Sequence, residues 1–267
     1  VRVAIWVGWD MRTAADNITA QRLLSSLSLV ALLWLMAGVA RALLPWRAGL
    51  VITAVSLFGS TLISTMGVAL WSINFSVLAI AGALLLLVRR EAGLAESVHP
   101  FWLGVLLFLA YFSRAAAAAF IVPLFLFLTY ACWQSSESER QKRLKELLGT
   151  AVTAGTLLFL FLLYSRWEFG SWLPIYYSTV RLQVARGSAW IALLGVLFSS
   201  GRGLFVYVPT AVLLLFAVRR LWRQPLTWLS FGWIGLHLLV LVRGTAWWGG
   251  DGFGPRILTE LMLALFL

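Results

Sequence analysis

The residues best suited to chemistry lie in two stretches rich in arginine and aromatic side chains. One reads Arg243-Gly-Thr-Ala-Trp-Trp-Gly-Gly-Asp-Gly-Phe-Gly-Pro-Arg256, with glycines at 249, 250, 252 and 254 and only Asp251 and Arg256 charged after Arg243. Clustered glycine lets the backbone approach a ligand or take positive φ, and the indoles of Trp247 and Trp248 can stack on a sugar face or lie at a membrane interface. A tight interfacial turn accounts equally well for the glycines and tryptophans. An Asp251 to Arg256 ion pair would account for the charges. Against these stands the cost of ionisable groups at the mouth of an apolar bundle unless they are paired or used.

The other stretch runs Ser165-Arg-Trp-Glu-Phe-Gly-Ser-Trp-Leu-Pro-Ile-Tyr-Tyr177, then Arg181 and Arg186, then Leu197-Phe-Ser-Ser-Gly-Arg-Gly-Leu-Phe-Val-Tyr-Val-Pro209. Glu168 is its sole acid. Rings such as Tyr176 mixed with guanidinium groups suit a sugar phosphate, since the ring meets the pyranose face and the planar fork meets the phosphate. The turn Ser199-Ser-Gly-Arg-Gly203 opens onto an apolar run and could also present backbone N–H groups to an anion. A glycine-flanked turn with no ligand is the plainer reading.

What positions these stretches follows from composition. In 267 residues, 61% are hydrophobic and 12% charged, which excludes a soluble globule and specifies a chain dissolved in lipid. The chain reads as one all-α transmembrane domain over residues 1–267, a polytopic helix bundle. Apolar runs mark crossings at Leu24 to Leu44, Leu50 to Trp71, Ile73 to Val88, Phe101 to Phe112, Ala115 to Trp133, Leu147 to Tyr164, Leu204 to Val218 and Leu226 to Val242. That makes about eight complete or near-complete spans. A ninth run, Ile257 to Leu267, is read as a truncated final helix. Ile191 to Phe198 is too short to cross and is expected to be interfacial or re-entrant. The opening at Val1 and the stop within the last run make an interior fragment of a longer protein the expectation.

Alternating the sides gathers eleven Lys and Arg into four short loops, Arg41 to Arg47, Arg89 to Glu96, Gln134 to Glu146 and Arg219 to Arg223. By the positive-inside rule these face the cytoplasm. The other ten basic residues, all arginine, fall on the opposite face and include Arg114, Arg166, Arg202 and Arg256. Headgroup contact explains an individual arginine there. The exclusive use of arginine favours a bidentate anion, and a phosphate is the natural one.

These residues resemble a family. Leu194-Gly-Val-Leu-Phe-Ser-Ser-Gly-Arg-Gly-Leu-Phe-Val-Tyr-Val-Pro209, followed by Trp248-Gly-Gly-Asp-Gly-Phe-Gly-Pro-Arg256, is similar to the paired signature of bacterial polytopic glycosyltransferases of the GT-C type, relatives of the dolichyl-phosphate-mannose protein mannosyltransferases. Phe58-Gly-Ser-Thr61 through Trp71, and Phe169-Gly-Ser171, resemble further motifs of that group. The resemblance implies an enzyme of the bacterial inner membrane that moves a sugar from a polyprenyl-phosphate donor to a protein, lipid or glycan acceptor on the extracytoplasmic side. It implies Arg256 and Arg202 at the donor phosphate; location adds Arg114 and Arg166, and residue type makes Asp251, Glu168, Trp247, Trp248 and Tyr176 the expected sugar or acceptor contacts. It also implies an aspartate base in the first outer loop, expected upstream of Val1, with Asp10 the nearest substitute within the chain.

Glycosyl transfer needs a base for the acceptor proton and a partner for the charge that grows on the departing phosphate. The chain has no Gly-x-x-x-x-Gly-Lys loop and no Asp-x-Asp pair for a nucleotide-bound metal, which favours a lipid-phosphate donor. No cofactor is called for; a divalent metal is compatible with the chemistry, but no ligand set indicates one. The membrane reading of the charge removes nucleic acid as a partner and leaves membrane lipids. A transporter or flippase of lipid-linked sugars would use the same side chains without transfer, and a structural membrane subunit would use none of them. His237, inside an apolar run, is expected to bond a neighbouring helix, His99 to sit at a helix start, and Cys132 to act as a small apolar residue. The run Gln134 to Glu146 is expected to be a solvated amphipathic connector with Glu139 four residues before Arg143.

Overall fold

The first apolar run becomes a longer helix than its hydropathy alone marks. In the computed structural model α1 spans Ala14–Leu43, 30 residues or about 45 Å. Its polar first turns are held by Asp16 near the positive end of the helix dipole and by a 2.9 Å hydrogen bond from Gln21 to Asn17. The residues described are 14–67, 70–174, 177, 189–201, 203–209, 211–212, 221–243 and 258–267, and they are helical with no strand among them. Asp10, Tyr176, Arg202, Trp247, Trp248, Asp251 and Arg256 therefore lie outside the described residues.

Pro45 ends α1, because the residue before a proline is driven out of the helical region. Pro45 then caps α2, Trp46–Phe58. The run Leu50 to Trp71, read as a single crossing, is in fact broken: α2 stops at Gly59, and Ser60 Oγ accepts from the Leu62 N–H at 3.3 Å to start α3, Thr61–Met66. An N-cap serine gives the backbone a local partner and interrupts a helix without lowering hydropathy enough to show. The next elements are α4, Ser72–Glu91, and α5, Pro100–Ser113, which is 14 residues or about 21 Å. A 3₁₀ turn, Ala115–Ala117, then leads into α6, Ala118–Gln134. After these come α7, Glu137–Phe169; α8, Ala189–Phe198; α9, Leu204–Tyr207; α10, Pro225–Arg243; and α11, Leu261–Phe266. Among the described residues, α1, α4, α6 with its preceding turn, α7 and α10 are long and apolar enough to cross a membrane.

Packing follows a short list of neighbours. α4 lies between α1 and α5, α5 continues onto α7, α6 lies between α7 and α10, and α10 carries α8 and α11. Thirteen of the twenty residues of α4 are buried, so it is the centre of the bundle. Phe120 of α6 and Trp233 of α10 are both fully buried, with ring centroids 4.6 Å apart. The outside is apolar as well: Trp34, Trp133 and Val152 are more than 65% exposed. That distribution suits a hydrocarbon surround, where helix association rests on close packing and not on hiding apolar area from water.

The closest approach is between α5 and α7. A Cβ on Gly104 would stand 2.6 Å from Thr153 Cβ and 2.9 Å from the Thr150 carbonyl oxygen. Gly104→Ala is accordingly expected to push the two helices apart and cost about 1–3 kcal/mol. A fall in the thermal midpoint in detergent would show it, and an unchanged midpoint would mean the interface can slide. The same contact, with Pro100 against Gly149 and Phe112 against Phe161 at 5.3 Å, sets α5 and α7 parallel.

The segment expected to be a solvated connector is instead the first third of α7, and it is not simply solvated. Arg90, with its side chain 4% exposed, reaches both carboxylate oxygens of Glu146 through Nε, at 3.2 and 3.0 Å, and Glu139 through Nη2 at 2.9 Å. Arg143 pairs with Glu91 at 2.9 Å, and the Val98 N–H donates to Glu146 at 3.2 Å. Glu139 thus pairs with Arg90 of α4, not with Arg143 one turn along its own helix. Arg143 is itself turned to Glu91, so both charges find their partners across the interface with α4. Cys132 is buried, its thiol 3.7 Å from the Arg140 carbonyl, and His237 is buried in α10.

Candidate functional site

The opposite end of the bundle collects a second buried polar group, built by the turns that join the helices. Ser113 and Arg114 separate two antiparallel helices. Arg114 takes an extended backbone, φ −157 and ψ 121, which closes α5. Its own N–H donates to the Ala110 carbonyl, and its carbonyl accepts from Ala117 at 3.0 Å, so the turn is satisfied and the side chain is left to the bundle. On the neighbouring turn Asn74 bonds back to the Trp71 N–H and donates to the Met66 carbonyl at 3.1 Å, which fixes the start of α4. That places Ser76, one turn into α4, inside the bundle and fully buried.

Between these turns lies the segment Leu258 to Glu260, which is entirely buried. Thr259 donates to Thr65 Oγ1 at 3.2 Å. Glu260 Oε1 accepts from Ser76 Oγ at 2.6 Å and lies 3.9 Å from Arg114 Nε. The second carboxylate oxygen, Oε2, is buried without a hydrogen-bond partner among the described residues. The Arg114 side chain is 16% exposed, and its two Nη nitrogens make no hydrogen bond or ion pair among the described residues. The carboxylate therefore lies on the Nε side of the guanidinium, leaving the Nη fork for an outside anion.

A groove of about 660 Å³ runs between α4 and α5 and reaches Ser113, the residue before Arg114. Ser72 and Ser113 line it at the helix ends, and Phe75, Leu78, Leu106, Leu109 and Phe112 continue it along the apolar part. The rings of Tyr111 and Phe161 pack against Tyr177, whose hydroxyl donates to the Phe112 carbonyl, and the Phe112 ring packs on Phe161. Tyr177 thus ties the end of the stretch Ser165 to Tyr177 to the end of α5, next to the turn that carries Arg114. An arginine of this kind can hold a phosphate at headgroup depth while a hydrocarbon chain follows the apolar groove.

Of the expected site residues, Arg114 is the one brought into this cluster. Arg166 and Glu168 lie in the last turn of α7, at the same end of the bundle, and both are exposed. Arg166 donates through Nη1 to the Gly170 carbonyl, where Gly170 ends the helix at φ 68. A cation at the negative end of a helix dipole, bonded to an orphan carbonyl, is accounted for by helix termination. Nothing described joins Arg166 or Glu168 to Arg114. Trp167 and Trp172 beside them are exposed, with Tyr164 packed edge-on against Trp167.

Glu260 was not among the residues singled out from the sequence, although a signal existed. It is the lone acid in the run Ile257 to Leu267, and a single carboxylate in an apolar helix is a functional candidate by default. Among the described residues no three His, Cys, Asp or Glu side chains gather as a metal site would require. No family model, curated protein or solved structure matches this chain.

Proposed function

We propose that the chain is the membrane-embedded part of a glycosyltransferase, similar to the GT-C type, that takes a sugar from a polyprenyl-phosphate donor on the extracytoplasmic side. The observation that carries this reading is Arg114, its Nη fork unspent and its Nε side against a buried carboxylate, beside an apolar groove that ends at Ser72 and Ser113. A lipid phosphate has the matching shape, with an anionic head at interfacial depth and a chain that belongs in hydrocarbon. Arg202 and Arg256 join Arg114 on the same side by the alternation of loops, with Asp251, Trp247, Trp248 and Tyr176 supplying the sugar contacts.

The proposed topology has about eight crossings and a final helix, with the segment around α8 re-entrant. It puts the Arg90 and Glu146 end in the cytoplasm of a bacterium and the Arg114 end outside. In the reaction the acceptor hydroxyl oxygen bonds the anomeric carbon as the bond from that carbon to the phosphate oxygen breaks. The acceptor proton passes to a carboxylate base expected in the first outer loop, and polyprenyl phosphate leaves with the added negative charge. The arginines stabilise that charge because they are fixed in place before it develops.

The test is transfer from a polyprenyl-phosphate sugar by the native membrane protein in detergent. Arg256→Ala is expected to lower transfer at least tenfold, about 1.4 kcal/mol of lost phosphate stabilisation, with an unchanged thermal midpoint. Full transfer in that variant would remove Arg256 from the mechanism. Movement of a lipid-linked sugar across proteoliposomes without any transfer would replace the enzyme by a transporter.

A further inference from the structure

We infer that Glu260 is a positioning residue, which holds the Arg114 guanidinium by its Nε side and so presents the Nη fork to a lipid phosphate; this rests on the proposed donor site. Three features support the assignment. Glu260 is completely buried although it lies in an apolar helix start, so its place there is not set by solvation. Its Oε1 is shared between two partners, Ser76 Oγ at 2.6 Å and Arg114 Nε at 3.9 Å, which fixes the carboxylate from α4 and directs it at the α5 turn. Its Oε2 is buried with no hydrogen-bond partner among the described residues, so Ser76 and Arg114 are the described groups that hold the carboxylate, both through Oε1. A mobile arginine must lose side-chain freedom when it grips an anion, and a carboxylate already ordering its Nε side reduces that loss. The fork geometry that makes arginine a bidentate phosphate ligand is then available before the ligand arrives.

The experiment measures binding of a polyprenyl monophosphate, and of the corresponding polyprenol without phosphate, to the full chain in detergent micelles. Glu260→Gln keeps the size and the acceptor for Ser76 but removes the charge. It is expected to weaken monophosphate binding about tenfold and leave polyprenol binding unchanged, because only the phosphate uses the fork. Glu260→Asp is expected to recover part of the loss. In combination with Arg114→Ala the Glu260→Gln change is expected to add nothing further, since two residues acting through one contact are not additive.

Equal loss of both ligands would make Glu260 a purely structural residue and overturn the assignment, as would unchanged monophosphate binding in Glu260→Gln. If the Glu260 variants do not fold, Ser76→Ala takes their place. Weaker monophosphate binding in that variant, with polyprenol unaffected, supports positioning, and unchanged binding overturns it. Full monophosphate binding by Arg114→Ala would defeat the donor-site reading itself, and the role of Glu260 with it. Loss with Arg114→Ala but not with Glu260→Gln defeats only the positioning role.

Discussion

Arg114→Ala is expected to weaken binding of a polyprenyl monophosphate by about 10- to 100-fold, the loss that follows when charge-assisted hydrogen bonds worth ~1.5–3 kcal/mol are removed. The reason lies in what surrounds the side chain. Arg114, unlike Arg166, is not bonded to its own helix terminus but faces the buried Glu260, and it follows Ser113 of the apolar groove in the chain. Removing it also leaves Glu260 buried without a cation, which destabilises the fold, so binding and stability must be separated. Arg114→Lys does this. A lysine keeps a positive charge near Glu260 but has no planar fork, so it is expected to retain most of the thermal stability while recovering only part of the affinity. Equal affinity in Arg114→Lys and the native protein would reduce the contact to a point charge. Unchanged affinity in Arg114→Ala would remove phosphate from this site.

The helix boundaries that the sequence made legible are those where backbone chemistry and hydropathy agree. Pro45 stops α1, Ser113 and Arg114 stop α5, and Pro225 starts α10, each next to a basic or polar residue that also ends an apolar run. Boundaries set by backbone chemistry alone were hidden. Ser60 starts a new helix inside a run that hydropathy reads as continuous, and α1 and α7 begin about ten residues ahead of their apolar stretches because polar residues extend a helix as readily as apolar ones.

The site divides in the same way. Arg114 was visible because an arginine on a two-residue turn between apolar runs has no local partner and must face an interface or an interior. Glu260 was hidden because its partners are remote: Ser76 is 184 residues away in sequence, and no local spacing encodes that contact. The ion pairs of Glu139 and Arg143 show the opposite error. Their four-residue separation predicts a bond along the helix, yet both are drawn to α4, where Arg90 and Glu91 offer partners removed from water. Local periodicity specifies which residues share a face of a helix; which of them find a charge across an interface depends on the packing order of α4, α5 and α7.

That packing order sets the other large effect, at the far end of the bundle. Glu146→Ala is expected to destabilise the folded protein by about 3–5 kcal/mol, since it takes from the buried Arg90 its most buried partner, the one that meets Nε with both carboxylate oxygens. Arg90 is 4% exposed and Glu146 9%, while Glu139, which pairs with the same guanidinium, is 42% exposed. Glu139→Ala is therefore expected to cost no more than about 1 kcal/mol, as exposed pairs do. Glu146 also accepts from the Val98 N–H, so its loss frees the segment between α4 and α5 as well as the start of α7. Thermal or denaturant unfolding in detergent should rank the two variants in this order, and salt should shrink the Glu139 difference and leave that of Glu146 nearly intact. Equal effects would mean that burial does not govern the cluster. A Glu146 variant as stable as the native protein would mean that the polar third of α7 is held by its apolar contacts alone.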